Sequence, residues 1–366
     1  MSSLDLTRGH DPTLLIRGLL VNRNRPDLDA LMREADPERF VWRVLPHAAR
    51  SFAASIVVLP RDQARAAAVA YLYCRMLDTY EDLFADPENR IAELDRFGSR
   101  LDSDPLTAPT PIPAGLARDD RDRVHLLLVA RCEQVDAVFR TLDGEVRRSI
   151  AKLVRSMADG MIWSTDAFAR QGGVLLDERQ LALYCRNVIG HPAVFVLDLI
   201  GTRKFTERAR EDAFLVSEMI QLANVTRDIE TDLARGVAYH PALKPYLGSC
   251  GYQPGPRAVV GEVRAELLAL ALGRAGAYRR LFEGLDLGRT ASVRIAAVLM
   301  LLFTDLHYRG CAQRTGHRAW PGPRGRLDVV VRSLPAFVSA RWANRTVKNV
   351  ERDFLVAASG LVPRSV

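Results

Sequence analysis

The chain has 366 residues, of which 48% are hydrophobic and only 7% aromatic. That is enough apolar material for a sizeable core of Ala, Leu and Val, and the scarcity of alternating β-branched runs excludes a β-rich fold. The net charge of +7 bears on solubility and on attraction of anions, but no basic run is interleaved with aromatics, which argues against nucleic-acid binding.

Residues 1–45 are mixed, with weak helical periodicity around Pro12–Val21 and Pro26–Glu34. Pro60 precedes an Ala-rich helix predicted over Asp62–Phe84, which Pro87 stops, and a further helix is expected at Ile91–Leu101. Residues 102–118 contain Pro105, Pro109, Pro111 and Pro113 and cannot be regular helix, so a surface loop is expected there. Helical patterns resume at Arg121–Leu142, Val146–Ala169, Asp177–Leu199 and Glu207–Ala234, with Gly236 placed as a C-cap. A Gly/Pro-rich loop then leads to predicted helices at Val259–Leu281, Ser292–Cys311 and Leu327–Val356. With no internal repeat and no low-complexity tract, the expectation is one all-α domain over residues 1–366, with residues 1–45 as an N-terminal extension and 312–366 as a C-terminal helical segment.

Cys74, Cys132, Cys185, Cys250 and Cys311 are scattered, odd in number and include no C-x-x-C pair, so neither a zinc site nor a disulfide framework is expected and a reducing cytoplasm fits. The N-terminus lacks an apolar signal-peptide core. The longest apolar run, Ile295–Phe303, is nine residues, against about 20 for a membrane span. The expected location is cytoplasmic, with at most peripheral membrane contact.

Two acidic stretches stand out, Asp78-Thr79-Tyr80-Glu81-Asp82 and Asp228-Ile229-Glu230-Thr231-Asp232. Each lies in a predicted helix and puts two Asp at i and i+4, hence on one face, roughly 5–6 Å apart. Two such faces turned toward each other would make a cage of hard oxygen ligands suited to Mg²⁺ holding a diphosphate. The spacing alone is not diagnostic, since Asp82 and Asp86 share it, and the surrounding residues carry the weight.

Those surroundings are Tyr71-Leu72-Tyr73-Cys74-Arg75 before the first stretch and Asn224-Val225-Thr226-Arg227 before the second, which continues to Gly236-Val237-Ala238-Tyr239-His240-Pro241. Arg50-Ser51-Phe52-Ala53, Met157-Ala158-Asp159-Gly160-Met161 and Tyr184-Cys185-Arg186-Asn187-Val188-Ile189-Gly190 complete five segments in order. Together, over about residues 45–310, they resemble the squalene/phytoene synthase family, which joins two prenyl diphosphates head to head; the D-T-x-E-D form is closer to squalene synthases.

The resemblance implies an isoprenoid synthase-type helical bundle around a central apolar cavity, a farnesyl diphosphate substrate, Mg²⁺, and NADPH for a reductive second half-reaction. It implies metal ligation by Asp78, Asp82, Asn224, Asp228 and Asp232. Diphosphate and substrate contacts fall to Arg50, Ser51, Phe52, Arg227 and Tyr239, and the reacting centre to Arg75, Tyr71 and Tyr184. Against these stand plainer readings: solvated helix acids, arginines paired with neighbouring acids, core tyrosines. Glu81 is open between the two, and Asp86 reads as a surface acid. Val237 departs from the family, which has Arg there, and Arg235 is the candidate substitute. His191, His240 and His307 read as structural. Alternatives are a phytoene- or dehydrosqualene-type product, or a non-catalytic assembly factor of the same fold; retention of all four aspartates argues against the last.

Overall fold

A computed structural model of the chain describes residues 26–49, 51–84, 86–201, 205–249, 254–316 and 320–361. Among them there are helices and no strand, only one isolated parallel bridge between Val174 and Ala238. The contacts divide the chain into two compact units, Met1–Ile162 and Trp163–Val366.

The first unit is organised on the helix Arg61–Leu83, which packs against Pro37–Ala49, Pro87–Ser99, Asp120–Ala130 and Cys132–Arg140. Ala64, Ala66, Ala67, Ala68 and Ala70 are all buried along it, and side chains this small let several neighbours approach closely. A buried network fixes the arrangement: Arg100 forks onto Asp136 at 3.0 and 2.7 Å, and the Tyr73 hydroxyl donates to the same carboxylate at 2.7 Å. The Pro-rich loop is fastened to this unit, with Tyr80 OH donating to the Thr110 carbonyl and Arg100 Nε to the Thr107 carbonyl. It is a surface loop within one unit, as its composition predicts.

The second unit is built on Glu207–Ala234, whose bounds match the predicted ones, and on the core helix Ala291–Arg314. The latter holds the predicted apolar run and is largely buried; Tyr308 within it donates its hydroxyl to the Met219 carbonyl. Arg326–Val338 and Ala340–Leu361 pack on it in turn. Asp305, buried in the core helix, accepts from Trp320 Nε1 at 2.7 Å and pins the segment that leads to Arg326–Val338. Arg294 is buried and donates to the carbonyls of Gly288, Ala336 and Phe337, which anchors the far end of that helix.

Several predicted helices are interrupted, each for a local reason. The helix expected at Arg121–Leu142 breaks at Arg131, whose guanidinium turns back to the carbonyls of Met32 and Glu34. Asp177–Leu199 becomes Glu178–Cys185, a π-helical turn Arg186–Gly190, and His191–Ile200. Pro192 has no N–H to return to the preceding turn, and the ladder widens to accommodate it. Val259–Leu281 breaks at Arg274 and Leu327–Val356 at Ser339. The helix Pro37–Ala49 falls where no helix was predicted; it buries Phe40, Val41, Val44, Leu45 and Pro46 on one face. The expected periodicity at Pro12–Val21 lies outside the described residues.

Two stretches, Glu178–Ile200 and Ala291–Arg314, are long and apolar enough to cross a membrane by length and composition. Isolated polar residues interrupt each one, and Ala291–Arg314 is largely buried as a core helix. Four cysteines, Cys74, Cys132, Cys185 and Cys311, are free and buried, and burial pushes each thiol above its ordinary pKa.

Candidate active site

In the first unit, Tyr71, Arg75, Asp78 and Asp82 succeed one another at i, i+4, i+7 and i+11, a single stripe along Arg61–Leu83. Arg75 links the stripe: Nη2 donates to the Tyr71 hydroxyl at 2.8 Å, and Nη1 lies 2.8 Å from Asp78 Oδ2. Its guanidinium is 5.6 Å from the Tyr71 ring centroid, and Phe52 lies 5.7 Å from the same ring. The structure thus brings together Phe52, Tyr71, Arg75 and Asp78. Burial pushes the Asp78 carboxyl above the usual carboxylate range, against the pull of Arg75 and with Asp82 adding to the rise. Arg75 Nε–H is buried and has no hydrogen-bond partner, a donor suited to an incoming anion. Asp86 does what a surface acid does, capping the next helix by accepting from Asn89 N at 2.9 Å. Arg50 lies outside the described residues. Ser51 opens the helix Ser51–Val57, and its side chain also lies outside the description.

In the second unit, Asn224, Asp228 and Asp232 stand one turn apart on Glu207–Ala234. Arg227 forks onto its neighbour, Nε to Asp228 Oδ1 at 2.7 Å and Nη2 to Oδ2 at 2.5 Å. Asn224 Nδ2 donates to Gln221 Oε1 at 3.1 Å. Glu230 belongs to the other side of the helix. There the buried Arg264 holds it at 2.5 Å and donates to the Thr226 carbonyl at 2.8 Å. Sequence reasoning did not find Arg264, because nothing in spacing marks a cation some thirty residues downstream as its partner.

The helix ends as predicted at Gly236, with φ +76°. Gly236 N bonds the Leu233 carbonyl and Val237 N the Asp232 carbonyl at 2.9 Å, the paired pattern of a glycine C-cap. The chain then crosses the turn that follows Gly144–Gln171: Ala238 N donates to the Gly173 carbonyl at 2.8 Å, and Leu175 N to the Ala238 carbonyl at 3.0 Å. Gly173 has φ +84°, and a Cβ there would stand 2.2 Å from the Gly236 carbonyl oxygen.

This crossing delivers Tyr239 to Tyr184, with hydroxyls 3.1 Å apart and ring centroids 4.9 Å apart. Phe168 meets both rings edge-on, at 6.4 and 5.8 Å. The two tyrosines were expected from sequence; Phe168 was not, since it belongs to no recognised segment. Val237 lines an apolar crevice with Val225, Ile229, Leu243 and Leu267. Arg235 is the exposed C-cap of the acidic helix. His240 plays a structural part, accepting from Ala242 N at 3.2 Å.

No group of three His, Cys, Asp or Glu side chains among the described residues is arranged to hold a metal ion by itself. Each acidic face offers two carboxylates with an arginine against one of them. Such all-oxygen donors fit Mg²⁺, which normally keeps waters and takes phosphate oxygens to fill its shell.

Residues 45–305 match the model of the squalene/phytoene synthase family. The squalene synthase of Eremothecium gossypii is 28% identical over 207 residues, 55% of this chain and 45% of that protein. The presqualene diphosphate synthase of Rhodopseudomonas palustris is 27% identical over 192 residues, 52% of this chain and 58% of that one. The bifunctional lycopene cyclase/phytoene synthase of Colletotrichum graminicola is 27% identical over 246 residues, 63% and 39% of the respective chains. The chain spans about half the length of the curated relatives it matches. The solved complex of TcSQS with BPH1237 shares the fold, with TM-score 0.63 at 18% identity, covering 90% of this chain and 100% of that one. This is an all-α isoprenoid synthase fold. Five motifs in order, two arginine-backed acidic helices and a match over most of the chain's length agree, and the chain belongs to the squalene/phytoene synthase family.

Proposed function

We propose that the protein is a prenyltransferase that condenses two farnesyl diphosphates head to head to presqualene diphosphate and reduces this to squalene with NADPH. The observation that carries the reading is the pairing, on each acidic helix, of two one-turn-spaced aspartates with an arginine. Asp78 and Asp82, and Asn224, Asp228 and Asp232, would hold Mg²⁺. Bound there, the cation would neutralise charge developing on the departing diphosphate.

Arg75 and Arg227 add fixed positive charge, with Arg50 and Ser51 as further diphosphate contacts and Arg235 standing in for the family arginine that Val237 replaces. Arg75 is also an orienting group, since it holds the Tyr71 hydroxyl and the Asp78 carboxylate in one line. Ionisation of the first substrate releases diphosphate and an allylic cation. The second substrate supplies the alkene, and one proton must leave as the new carbon–carbon bonds form. Tyr71, Tyr184 and Tyr239 present ring faces that stabilise a cation and hydroxyls that can accept and pass on that proton. Phe52 would pack against the prenyl chain, whose surroundings must exclude water so that the cation is not quenched.

A second reading stops at presqualene diphosphate. It is favoured by Val237, which takes one cation from the diphosphate-binding set, and by the likeness to a presqualene diphosphate synthase. Purified protein with farnesyl diphosphate and Mg²⁺ is expected to yield presqualene diphosphate, and squalene once NADPH is added. Presqualene diphosphate in both reactions selects the second reading. Absence of any thirty-carbon product would end both, and turnover of geranylgeranyl diphosphate alone would move the assignment to the phytoene side. An unchanged cellular phenotype for Asp78→Ala with Asp228→Ala would instead favour a non-catalytic role.

A further inference from the structure

The helix Arg326–Val338 is apolar on two sides. Its inner side, Val329, Val330, Ser333 and Ala336, is buried against the core helix Ala291–Arg314. Its outer side carries Leu327, Val331, Leu334 and Val338, which are 74, 54, 51 and 80% exposed. These four follow the i, i+4, i+7, i+11 pattern, so they form one stripe about 16 Å long. A soluble helix of this kind normally turns charged residues outward.

The stripe does not sit on a loose tail. Arg309 reaches the carbonyls of Trp320 and Pro323 on the entry side, Arg324 N is capped by Asp328 at 2.9 Å, and Arg294 holds the Ala336 and Phe337 carbonyls at the exit. A stiffly held apolar surface facing water implies something that covers it.

The next helix indicates what that is. Ala340–Leu361 packs on Arg326–Val338 and exposes Arg341, Arg345, Lys348 and Arg352, again at i, i+4, i+7 and i+11. Lys348 lies 3.8 Å from Glu283 and Arg352 2.9 Å from Asp353. Arg341 and Arg345 make no ion pair among the described residues. The row then gives way to exposed Leu355 and Val356. One packed pair of helices thus presents an apolar stripe and a basic row. That combination matches an anionic bilayer surface, where side chains such as Leu and Val enter the headgroup boundary and Lys and Arg meet the lipid charge.

We propose that the Arg326–Leu361 helix pair docks the protein on an anionic membrane surface, through the Leu327/Val331/Leu334/Val338 stripe and the Arg341/Arg345/Lys348/Arg352 row. The assignment rests on this surface alone and stands whatever the product of the reaction.

Flotation of the full chain with two kinds of vesicle tests it: phosphatidylcholine alone, and an equimolar mixture with phosphatidylglycerol. At low salt the protein is expected to float with the mixed vesicles and to stay below with the neutral ones. Arg341→Glu with Arg345→Glu should weaken the partition by roughly tenfold or more, and high salt should do the same. Val331→Glu with Leu334→Glu should abolish it, and Val331→Ser with Leu334→Ser should weaken it; circular dichroism verifies that each variant is folded. Equal flotation with both vesicles, or no loss in the folded stripe variants, overturns the proposal. So does light scattering that shows a dimer converted to monomer by the stripe changes while the wild type ignores both vesicles, because the stripe then belongs to a second copy of the chain.

Discussion

Arg75 is held at two of its nitrogens and has a third donor to spare, which separates its role from that of an ordinary helix ion pair. A lysine in its place keeps the charge but loses the planar fork that reaches Tyr71 and Asp78 together. Arg75→Lys is therefore expected to lower kcat/KM by at least about tenfold, measured by steady-state product formation. Asp82 is exposed, so Asp82→Asn should leave the melting temperature unchanged while cutting activity by roughly a hundredfold or more. A fall in both would mark Asp82 as structural. Asp78 has the opposite character. Its carboxyl is pushed up by burial, so protons compete for it at higher pH than for an ordinary aspartate. Affinity for Mg²⁺ should fall on acidification from above the usual carboxylate range, and Asp78→Asn should flatten that dependence in a metal titration followed by calorimetry.

At the level of elements, the crossing at Gly173 joins two helix ends and sets Tyr239 beside Tyr184. Alanine there meets both a positive φ and the Gly236 carbonyl, so Gly173→Ala is expected to cost at least about 2 kcal/mol in urea denaturation and to lower kcat. Gly236→Ala, with open space around its Cβ position, faces only the conformational penalty and should be milder. Asp305 gives a pH-dependent case. Burial raises its carboxyl to about 6, above the unfolded value near 4. The ionised form is disfavoured in the folded state, so the penalty is fully present above about pH 6 and gone below about pH 4, at about 3 kcal/mol. Asp305→Asn retains an oxygen for Trp320 and should be more stable than wild type at neutral pH, the difference closing on acidification. The sequence marks Glu207–Ala234 to the residue, because a Thr206 cap and Gly236 bracket a continuous helical pattern. It does not mark the break at Arg131, which depends on where a long side chain finds carbonyls about a hundred residues earlier, nor Pro37–Ala49, whose Pro46 reads as a helix breaker but is buried inside one.

For the molecule as a whole, the all-α class was legible from composition, and the acidic helices with their arginines from motif order. What the sequence could not show is which polar groups are spoken for. Asp228 is forked by its own neighbour Arg227, Glu230 is held by Arg264, and Phe168 joins the tyrosines only through a turn crossing. If the acidic helices hold Mg²⁺ for a diphosphate, Mg²⁺ and inorganic diphosphate together should raise the melting temperature more than the sum of either alone. At a hundredfold excess over the dissociation constant, ligand binding adds about 2.7 kcal/mol, readily seen by scanning calorimetry.

The buried cysteines make this protein its own gauge of breathing. Cys74 and Cys132 sit in the first unit and Cys185 and Cys311 in the second, and a thiol shut away from water, with its ionisation suppressed, cannot meet an alkylating reagent until the surrounding helices part. Peptide-resolved iodoacetamide labelling at each of the four would then clock how often that neighbourhood opens, with no probe added to the chain.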